Sequence, residues 1–362
     1  MIHFIIGTKA QLIKIAPIMR VLKERKLEYN FIFTGQHRLT IEQILDNFSV
    51  KSPDVILYDG DDVTGVFQSL VWMVKIIVKV LFNRDSIFGA SEKQNYDIVL
   101  VHGDTFSTLL GALIGRLSGK KIAHVESGLR SFNIFHPFPE EITRLLVFRL
   151  TDIFYCPGDW AIDNLKSYNG KKINTITNTL YDCITFARYH LEEINVDIPK
   201  SKYALVSIHR FENIFNKRRF RQLLECLLEV SQIIPLLFIL HPTTEKKLKE
   251  NNWLAWLENE PKIELRPRYD YFKFIKLMIE SEFIISDGGS NQEEAAYLGK
   301  PTLLFRRVTE RPEGIGENAV ISEYNADKII AFVENYKNLR KSGLEFDVSP
   351  SEIIVNSLLP FS

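Results

Sequence analysis

The chain has 362 residues, of which 46% are hydrophobic and 25% charged, and 45 basic residues balance 45 acidic ones. This length favours two domains over one core, and the zero net charge argues against a dedicated nucleic-acid-binding protein, which usually has a basic excess. The three cysteines lack C-x-x-C spacing, so they predict neither a disulfide framework nor a zinc site and fit a reducing compartment.

The N-terminal residues 1–6 lack the basic segment of a signal peptide and are typical of a first strand. The most apolar long window, 70–82, is too short to span a bilayer and contains Lys75 and Lys79. These lysines share one helix face, so we predict an amphipathic core helix, with docking on a membrane surface as the alternative. We therefore expect a cytoplasmic protein without an integral membrane segment.

Short apolar runs alternate with helical patterns through the first half of the chain. The predicted strands are 2–6, 29–34, 55–58, 98–102 and 121–126, and the predicted helices are 13–25, 39–48, 66–81 and 108–117. This alternation indicates βαβ units and a parallel sheet. Ligands should then bind at the carboxyl ends of the strands.

A second half of the same kind is predicted to begin after Asn169-Gly170. Its strands are expected at 173–177, 203–208, 236–240, 283–285 and 302–305, and a last helix at 349–358. The predicted class is α/β, with two Rossmann-like doubly wound domains facing a cleft. The domains are 1–170 and 171–345, and the helix in 346–362 is expected to pack back on the first domain.

A strand end, two glycines and a helix start occur together around residues 283–294. Gly288 and Gly289 permit a tight turn and a close approach to a ligand, and Ser290 with Glu293 fits a capping box that would start the helix. Such a unit is suited to binding phosphate. From these residues alone, a diphosphate site of a nucleotide-sugar and an ordinary strand–turn–helix unit both stay open.

Several common nucleotide motifs are absent from the sequence. No G-x-G-x-x-G or Walker loop follows a strand, so neither tightly bound NAD nor ATP hydrolysis is predicted. Asp59-Gly60-Asp61 resembles a D-x-D metal motif but is better interpreted as an acidic turn, and no metal or cofactor is expected. The remaining chemical groups are carboxylates and a histidine near predicted strand ends, namely Asp104, Glu126, Glu140, Glu141 and His209.

Taken together, these residues resemble the UDP-N-acetylglucosamine 2-epimerase family. The matching signatures are Gly7-Thr8, Gln36-His37-Arg38, His102-Gly103-Asp104-Thr105, His124-Val125-Glu126-Ser127-Gly128, Pro139-Glu140-Glu141, Asn178-Thr179, His209-Arg210, His241-Pro242, Gln292-Glu293-Glu294 and Thr309-Glu310-Arg311-Pro312-Glu313. The resemblance implies a fold of the glycosyltransferase-B type, a UDP-sugar substrate and a homodimer. Two segments depart from the family pattern. This chain has Lys9-Ala10-Gln11 where the pattern has Arg-Pro-Glu, and it has Gly288-Gly289-Ser290 where the pattern has Ser-Gly-Gly.

The resemblance also implies roles for individual residues. It makes Asp104, Glu126 and Glu140 the acid/base carboxylates, with His209 assisting the departure and return of UDP. UDP is expected at Lys9, Lys14, Gly288, Gly289, Ser290, Glu294 and Arg311, with Glu294 on the ribose. The positions that bind a second UDP-sugar as activator in non-hydrolysing bacterial members correspond to Gln36, Gln43, Arg210 and His241.

The implied activity is a non-hydrolysing epimerase that interconverts UDP-GlcNAc and UDP-ManNAc, or a closely related sugar pair, for surface polysaccharide such as capsule or O-antigen. It would eliminate UDP and add it back. Two alternatives stay open: a hydrolysing epimerase that releases N-acetylmannosamine and UDP, and a glycosyltransferase of the same fold. The altered loop at Lys9-Ala10-Gln11 favours the latter to some degree.

Overall fold

The computed structural model describes residues 1–36, 41–63, 65–89, 97–134 and 138–359. His37, Arg38 and the predicted helix start at 39 lie outside the described residues. The chain divides into two compact units, one formed by Met1–Cys183 with Asp347–Ser362 and the other by Ile184–Phe346.

The first unit is built on a parallel sheet. Its strands are β1 (Ile2–Ile6), β2 (Tyr29–Phe33), β3 (Val55–Ile56), β4 (Ile98–His102), β5 (Lys121–Val125), β6 (Ile153–Cys156) and β7 (Lys171–Asn174). They are ordered β3-β2-β1-β4-β5-β6-β7. In the register of β4 and β5, His102 lies opposite Val125, so the turns that follow these two strands begin side by side.

Helices connect these strands and cover the sheet. They are α1 (Lys9–Glu24), α2 (Glu42–Phe48), α3 (Val66–Phe82), α4 (Arg84–Phe88), α5 (Phe106–Leu117), α6 (Glu140–Leu150) and α7 (Asp159–Asp163). Helix α8 (Leu180–Tyr189) follows β7 and contains the division between the two units, at Ile184. Helix α1 begins four residues before its predicted start because Thr8 and Gln11 form a capping box. The side chains of Trp72, Met73 and Ile76 on α3 are buried in the core of this unit.

The second unit has its own parallel sheet. Its strands are β8 (Ala204–Ser207), β9 (Leu236–Leu240), β10 (Ile263–Pro267), β11 (Ile284–Ser286), β12 (Thr302–Leu304) and β13 (Ala319–Ile321), ordered β10-β9-β8-β11-β12-β13. Its helices are α9 (Phe211–Ile214), α10 (Lys217–Ile233), α11 (Pro242–Glu250), α12 (Leu254–Glu258), α13 (Tyr271–Glu280), α14 (Gly289–Tyr297) and α15 (Ala326–Asn335), and a 3-10 helix covers Tyr336–Leu339. The two parallel sheets with interleaved helices confirm the predicted α/β class.

The predicted strand at 173–177 differs from the observed one in range and in sheet. It is β7 (Lys171–Asn174), which pairs with β6 in the first sheet. The second unit therefore begins after this strand, at Ile184, and not at 171. The last helix, α16 (Pro350–Leu358), belongs to the first unit, where the Ser351 amide donates to Asp182 at 2.8 Å. Within the described ranges, no helix is long and apolar enough to cross a membrane.

Candidate active site

Two carboxylates predicted to be catalytic follow neighbouring strands of the first sheet. Asp104 comes two residues after β4, and Glu126 follows β5 directly. Since β4 and β5 are paired in register up to their ends, both carboxylates lie at the carboxyl edge of the sheet, where α/β folds place their ligands.

Glu126 is buried in a strained backbone position. Its φ is 61°, a left-handed conformation that costs a non-glycine residue roughly 1–3 kcal/mol and is often found at functional sites. Its Oε1 accepts from Lys14 Nζ at 2.6 Å and from Asn178 Nδ2 at 2.8 Å. The predicted diphosphate ligand Lys14 is thus paired with a carboxylate, and its role towards phosphate stays a prediction.

A neutral histidine, His102, lies next to the second carboxylate oxygen of Glu126. Nε2 of His102 is 3.2 Å from Glu126 Oε2, but the geometry is not that of a hydrogen bond. Burial lowers the pKa of His102 to about 3, against the opposing charge of Glu126. The ring is therefore uncharged at neutral pH, and Lys14 is the cation that balances Glu126.

Asp104 is held by an arginine that the sequence interpretation missed. Arg144 on α6 donates to Asp104 Oδ2 from Nε at 2.9 Å and from Nη2 at 2.5 Å. Helix α6 begins at Glu140, the third predicted catalytic carboxylate, and continues with Glu141, which is fully buried. The only local signal for this arrangement was the spacing of Glu141 and Arg144, which are three residues apart on one helix.

The turns that bear Asp104 and Glu126 are joined by one buried ring, His124. Its Nε2 lies 2.7 Å from the carbonyl oxygen of Gly103, and its Nδ1 lies 2.9 Å from Ser127 Oγ. Burial lowers the pKa of His124 to about 4, so a neutral ring donates to Gly103 and accepts from Ser127. The sequence interpretation placed His124 in a signature without assigning it this role.

The first loop is organised by Gln11, one of the residues at which the sequence departs from the resemblance. Its Oε1 accepts from the amides of Gly7 and Thr8 at 2.9 and 3.2 Å. Its Nε2 donates to the His102 carbonyl at 2.8 Å and to Thr108 Oγ1 at 2.9 Å. Gln11 therefore ties the first loop to the loop after β4. Lys9 is half-buried in the first turn of α1.

The predicted effector residues of the first unit have different surroundings. Gln36 is buried, and its Oε1 accepts from the amide and the hydroxyl of Ser107 at 3.2 and 2.6 Å. Gln43 is exposed on α2. Gln36 thus serves the packing of α5 in this structure, while a ligand role for either glutamine stays a prediction.

In the second unit, Asp287 organises the loop that bears His209. Asp287 is fully buried and accepts from the amides of His209 and Arg210 and from Asn213 Nδ2 at 2.9–3.2 Å. The His209 ring stacks on His241 at a centroid distance of 5.4 Å. Burial lowers the pKa of His209, with Asp287 opposing that shift. A predicted catalytic residue and a predicted effector residue are therefore neighbours.

Helix α14 begins earlier than the capping-box prediction placed it. Gly288 is the N-cap, Ser290 lies inside the helix, and the first intrahelical bond runs from the Gln292 amide to the Gly288 carbonyl at 3.1 Å. The prediction was wrong because the Glu293 carboxylate binds Arg311 and Tyr297 instead of the helix start. The amides of Gly289, Ser290 and Asn291 precede that first bond, so they lack intrahelical partners.

Arg311 lies against this helix start, and Arg306 and Arg210 act on the neighbouring Glu310. A Cβ on Gly289 would meet Arg311 Nε at 2.9 Å, and a Cβ on Gly288 would meet His209 Cε1 at 3.1 Å. The charges of Arg306, Arg210 and Arg311 overcome burial and lower the pKa of Glu310 to about 2. Among the described residues, Arg210 Nη1 is buried without a hydrogen-bond partner. A helix N-terminus and converging arginines suit a phosphate group.

The three residues of the signature Gln292-Glu293-Glu294 have different surroundings. Gln292 Nε2 donates to the carbonyls of Arg311 and Glu313 at 3.0 and 2.9 Å. Glu293, fully buried, accepts from Arg311 Nη1 at 2.6 Å. Glu294 is buried one position further along the helix. The first two residues therefore hold Arg311 beside the glycines, which the sequence alone did not reveal.

Comparison with known proteins identifies the family. The family model described as UDP-N-acetylglucosamine 2-epimerase matches residues 20–348. The chain is 31% identical to the UDP-N-acetylglucosamine 2-epimerase of Methanocaldococcus jannaschii, over 94% of this chain and 93% of that one. It is 32% identical to that of Campylobacter jejuni, over 99% and 97%. The chain belongs to the UDP-N-acetylglucosamine 2-epimerase family.

Solved structures of epimerases agree with this assignment and with a fold of the glycosyltransferase-B type. The Neisseria meningitidis enzyme bound to UDP-GlcNAc has a TM-score of 0.83 at 26% identity and covers 99% of both chains. The M. jannaschii enzyme in complex with UDP-GlcNAc and UDP has a TM-score of 0.80 at 28% identity, over 98% of this chain and 99% of that one. The departures at the first loop and at Gly288 thus occur within an epimerase fold.

Proposed function

We propose that this protein is a non-hydrolysing epimerase that interconverts UDP-GlcNAc and UDP-ManNAc, or a closely related pair of UDP-2-acetamido sugars, for surface polysaccharide synthesis. One observation supports this most directly: Asp104 and Glu126 follow neighbouring strands, and each is paired with its own cation, Arg144 and Lys14. Inversion at a carbon needs one group to remove a proton and another to return it. The names of the relatives support the substrate class.

The proposed chemistry proceeds through elimination. The C2 proton of a UDP-sugar is not acidic, since no carbonyl is attached to C2. When the bond between C1 and the diphosphate oxygen breaks, its electron pair leaves with UDP and C1 becomes electron-poor. A carboxylate then takes the C2 proton, and the C2–H electron pair forms the C1=C2 bond. Return of a proton to the opposite face of C2 and re-addition of UDP at C1 give the epimer.

We assign these steps by residue. Asp104, Glu126 and Glu140 exchange the proton, while His209 assists the leaving and returning UDP. Gly288, Gly289, Ser290 and Arg311 bind the diphosphate through helix amides and a guanidinium, Lys9 and Lys14 add positive charge, and Glu294 accepts from the ribose. The half-buried Ser290 in the first turn of α14 replaces the hydroxyl that Gly288 lacks.

Product analysis separates the three candidate activities. The protein is incubated with UDP-GlcNAc alone, and the products are followed by ¹H and ³¹P NMR. Epimerisation predicts an equilibrium mixture of two intact UDP-sugars. Free amino sugar with UDP would instead identify a hydrolysing epimerase. Unchanged UDP-GlcNAc that is nevertheless bound would exclude both epimerases and favour the transferase, which needs an acceptor.

A second UDP-GlcNAc is proposed as an activator, through Gln36, Gln43, Arg210 and His241. The Nε2 atom of His241 lies 3.2 Å from Arg268 Nη1, and burial with the Arg268 charge lowers the His241 pKa to about 4. The ring is therefore neutral and suited to hydrogen bonding with a sugar nucleotide. Sigmoidal dependence of the rate on UDP-GlcNAc that Gln43→Ala makes hyperbolic would support this role, and hyperbolic wild-type kinetics would argue against it.

The proposed partner is a second copy of the chain, through the outer face of α3. Eight apolar side chains of this helix are 41–83% exposed: Val66, Phe67, Leu70, Val71, Val74, Val78, Leu81 and Phe82. They follow a helical spacing along 17 residues, roughly 25 Å. Such a long apolar stripe usually marks an interface, and two-fold pairing of α3 with its copy would cover the stripe in both chains.

The oligomeric state tests this surface. We expect a dimer in sedimentation experiments and a monomer for the Val74→Glu, Val78→Glu double variant. Ile233→Glu, at a 53% exposed position on α10, is the matched control and should stay dimeric. A monomeric wild type that binds lipid vesicles would make the stripe a membrane-docking surface instead. The cytoplasmic location stays a prediction.

A further inference from the structure

Four side chains of alternating charge are linked in a row that ends at the carboxyl edge of the first sheet. They are Arg130, Glu141, Arg144 and Asp104. Arg130 Nε donates to Glu141 Oε1, and Arg144 Nη1 lies 3.3 Å from Glu141 Oε2. Arg144 in turn donates twice to Asp104. Three of the four members are largely buried, with side-chain exposures of 17% for Arg130, 0% for Glu141 and 6% for Arg144.

The row of charges ends at Asp104, where it contacts one carboxylate oxygen and not the other. Both donors of Arg144 reach the same oxygen, Oδ2. Across the described part of the chain, no residue donates to Oδ1, and the Asp104 side chain is 27% exposed. One oxygen is therefore occupied by the guanidinium, and the other is available to a substrate. A carboxylate held in this way has a fixed plane and one defined site for accepting a proton.

Glu141 is what holds Arg144 in that position. Besides the two arginines, its Oε2 accepts from the Ser131 amide at 3.0 Å. Burial favours the neutral acid, but the hydrogen bonds from Arg130 and Ser131 and the two arginine charges prevail and lower the pKa of Glu141. These contacts favour the ionised form of Glu141, and both of its oxygens accept hydrogen bonds. Glu141 therefore has no oxygen left for proton transfer, so we assign it a different role from its neighbour Glu140, the predicted catalytic carboxylate.

We propose that Arg144, anchored by Glu141, is a positioning residue for Asp104: it occupies Oδ2 so that Oδ1 alone exchanges the C2 proton. This inference rests on the proposed epimerase function. The paired guanidinium fixes the plane of the carboxylate, so Oδ1 keeps one orientation towards a bound substrate. A reversible reaction needs that fixed orientation in both directions.

Substitution of Arg144 tests the role. In Arg144→Ala we expect kcat to fall by about 10²-fold or more, the typical effect of a misplaced catalytic group, while affinity for UDP is retained. Added guanidinium ion should restore part of the rate. The rate of Arg144→Lys should stay below that of Arg144→Ala with added guanidinium ion, because an ammonium group lacks the planar pair of donors.

Two further variants separate positioning from folding. Glu141→Gln should lower kcat while affinity for UDP is retained, since it loosens Arg144 without removing it. Arg149→Ala, on the same helix with its Nη1 bonded to the Leu145 carbonyl at 2.8 Å, is the matched control and should behave like wild type. Circular dichroism melting measures the folded fraction, to which each rate is normalised.

The outcomes are distinct. A folded Arg144→Ala variant with wild-type kcat would overturn the positioning role. A rate loss that guanidinium ion does not reverse, or that vanishes after normalisation to folded protein, would overturn it too. If the wild type itself does not exchange the C2 proton with solvent, the proposed function fails, and that result is seen before any variant is made.

Discussion

At the scale of single residues, the candidate site separates two carboxylates by their surroundings. Asp104 is partly exposed and bonded to Arg144, whereas Glu126 is buried between Lys14, Asn178 and the neutral ring of His102. Both therefore have a balancing cation of their own. The two carboxylates therefore belong to separate ion pairs, Asp104 with Arg144 and Glu126 with Lys14.

Asp104→Asn tests the first of these carboxylates. The amide keeps the shape but cannot accept a proton, so we expect turnover to fall by at least about 10²-fold, the usual contribution of a general acid or base. UDP affinity, measured by calorimetry, should stay nearly unchanged. Asp163→Asn, at a 61% exposed side chain on α7, is the control. If UDP affinity collapses in Asp104→Asn, the residue serves nucleotide binding or folding instead.

At the scale of elements, the start of α14 combines three amides that lack intrahelical partners with the side chain of Arg311. That arginine approaches the helix only because Gly289 has no side chain. A methyl group there would push the guanidinium away from Glu293. The element therefore depends on a glycine for close approach and not for an unusual backbone angle.

Gly289→Ala tests this element. We expect weaker UDP binding and a raised KM, with the loss in the range of one charge-assisted hydrogen bond, about 1.5–3 kcal/mol. Gly65→Ala is a suitable control, since its nearest new contact would be the tip of Gln68 at 3.4 Å. Unchanged UDP affinity in a folded Gly289→Ala protein would remove Arg311 and the helix start from the diphosphate site.

Local patterns predicted most elements of both sheets, because apolar strands and amphipathic helices differ in period. These local patterns failed where the contact of a side chain depends on a residue far away in the sequence. Ser290 and Glu293 have the spacing of a capping box, yet Arg311 takes the Glu293 carboxylate. Arg144 and Asp104 are 40 residues apart, and His124 joins two turns that only the pairing of β4 and β5 brings together.

At the scale of the whole molecule, the sequence indicated the α/β class and the family, but the division at 170 fell one strand too early. β7 is a short edge strand whose residues are exposed or half-buried, so its composition does not indicate which sheet it joins. Only its pairing with β6 assigns it to the first unit.

The buried histidines of the first unit predict how stability depends on pH. Burial lowers the pKa of His3 and His124 to about 4 and of His102 to about 3, from 6.5. Between these values the unfolded chain binds protons that the folded unit does not. Stability should therefore fall as pH decreases below 6.5, by about 1.4 kcal/mol per pH unit for each such histidine.

Urea unfolding at pH 7, 6 and 5 measures this dependence. Carboxylates with a lowered pKa, such as Glu141 and Glu310, stabilise the fold at higher pH and lose their contribution only in more acidic solution, so they extend the same trend. A free energy of unfolding that stays constant from pH 7 to pH 5 would contradict the buried, neutral state of these rings.

The most direct test of the central claim is solvent exchange at C2. The wild-type protein is incubated with UDP-GlcNAc in heavy water, and the sugar is examined by ¹H NMR and mass spectrometry. The account predicts that one deuterium enters at C2 of UDP-GlcNAc and of its epimer while the UDP linkage stays intact in both. Bound UDP-GlcNAc that never exchanges its C2 proton would contradict proton transfer by Asp104 and Glu126 and, with it, the proposed epimerisation.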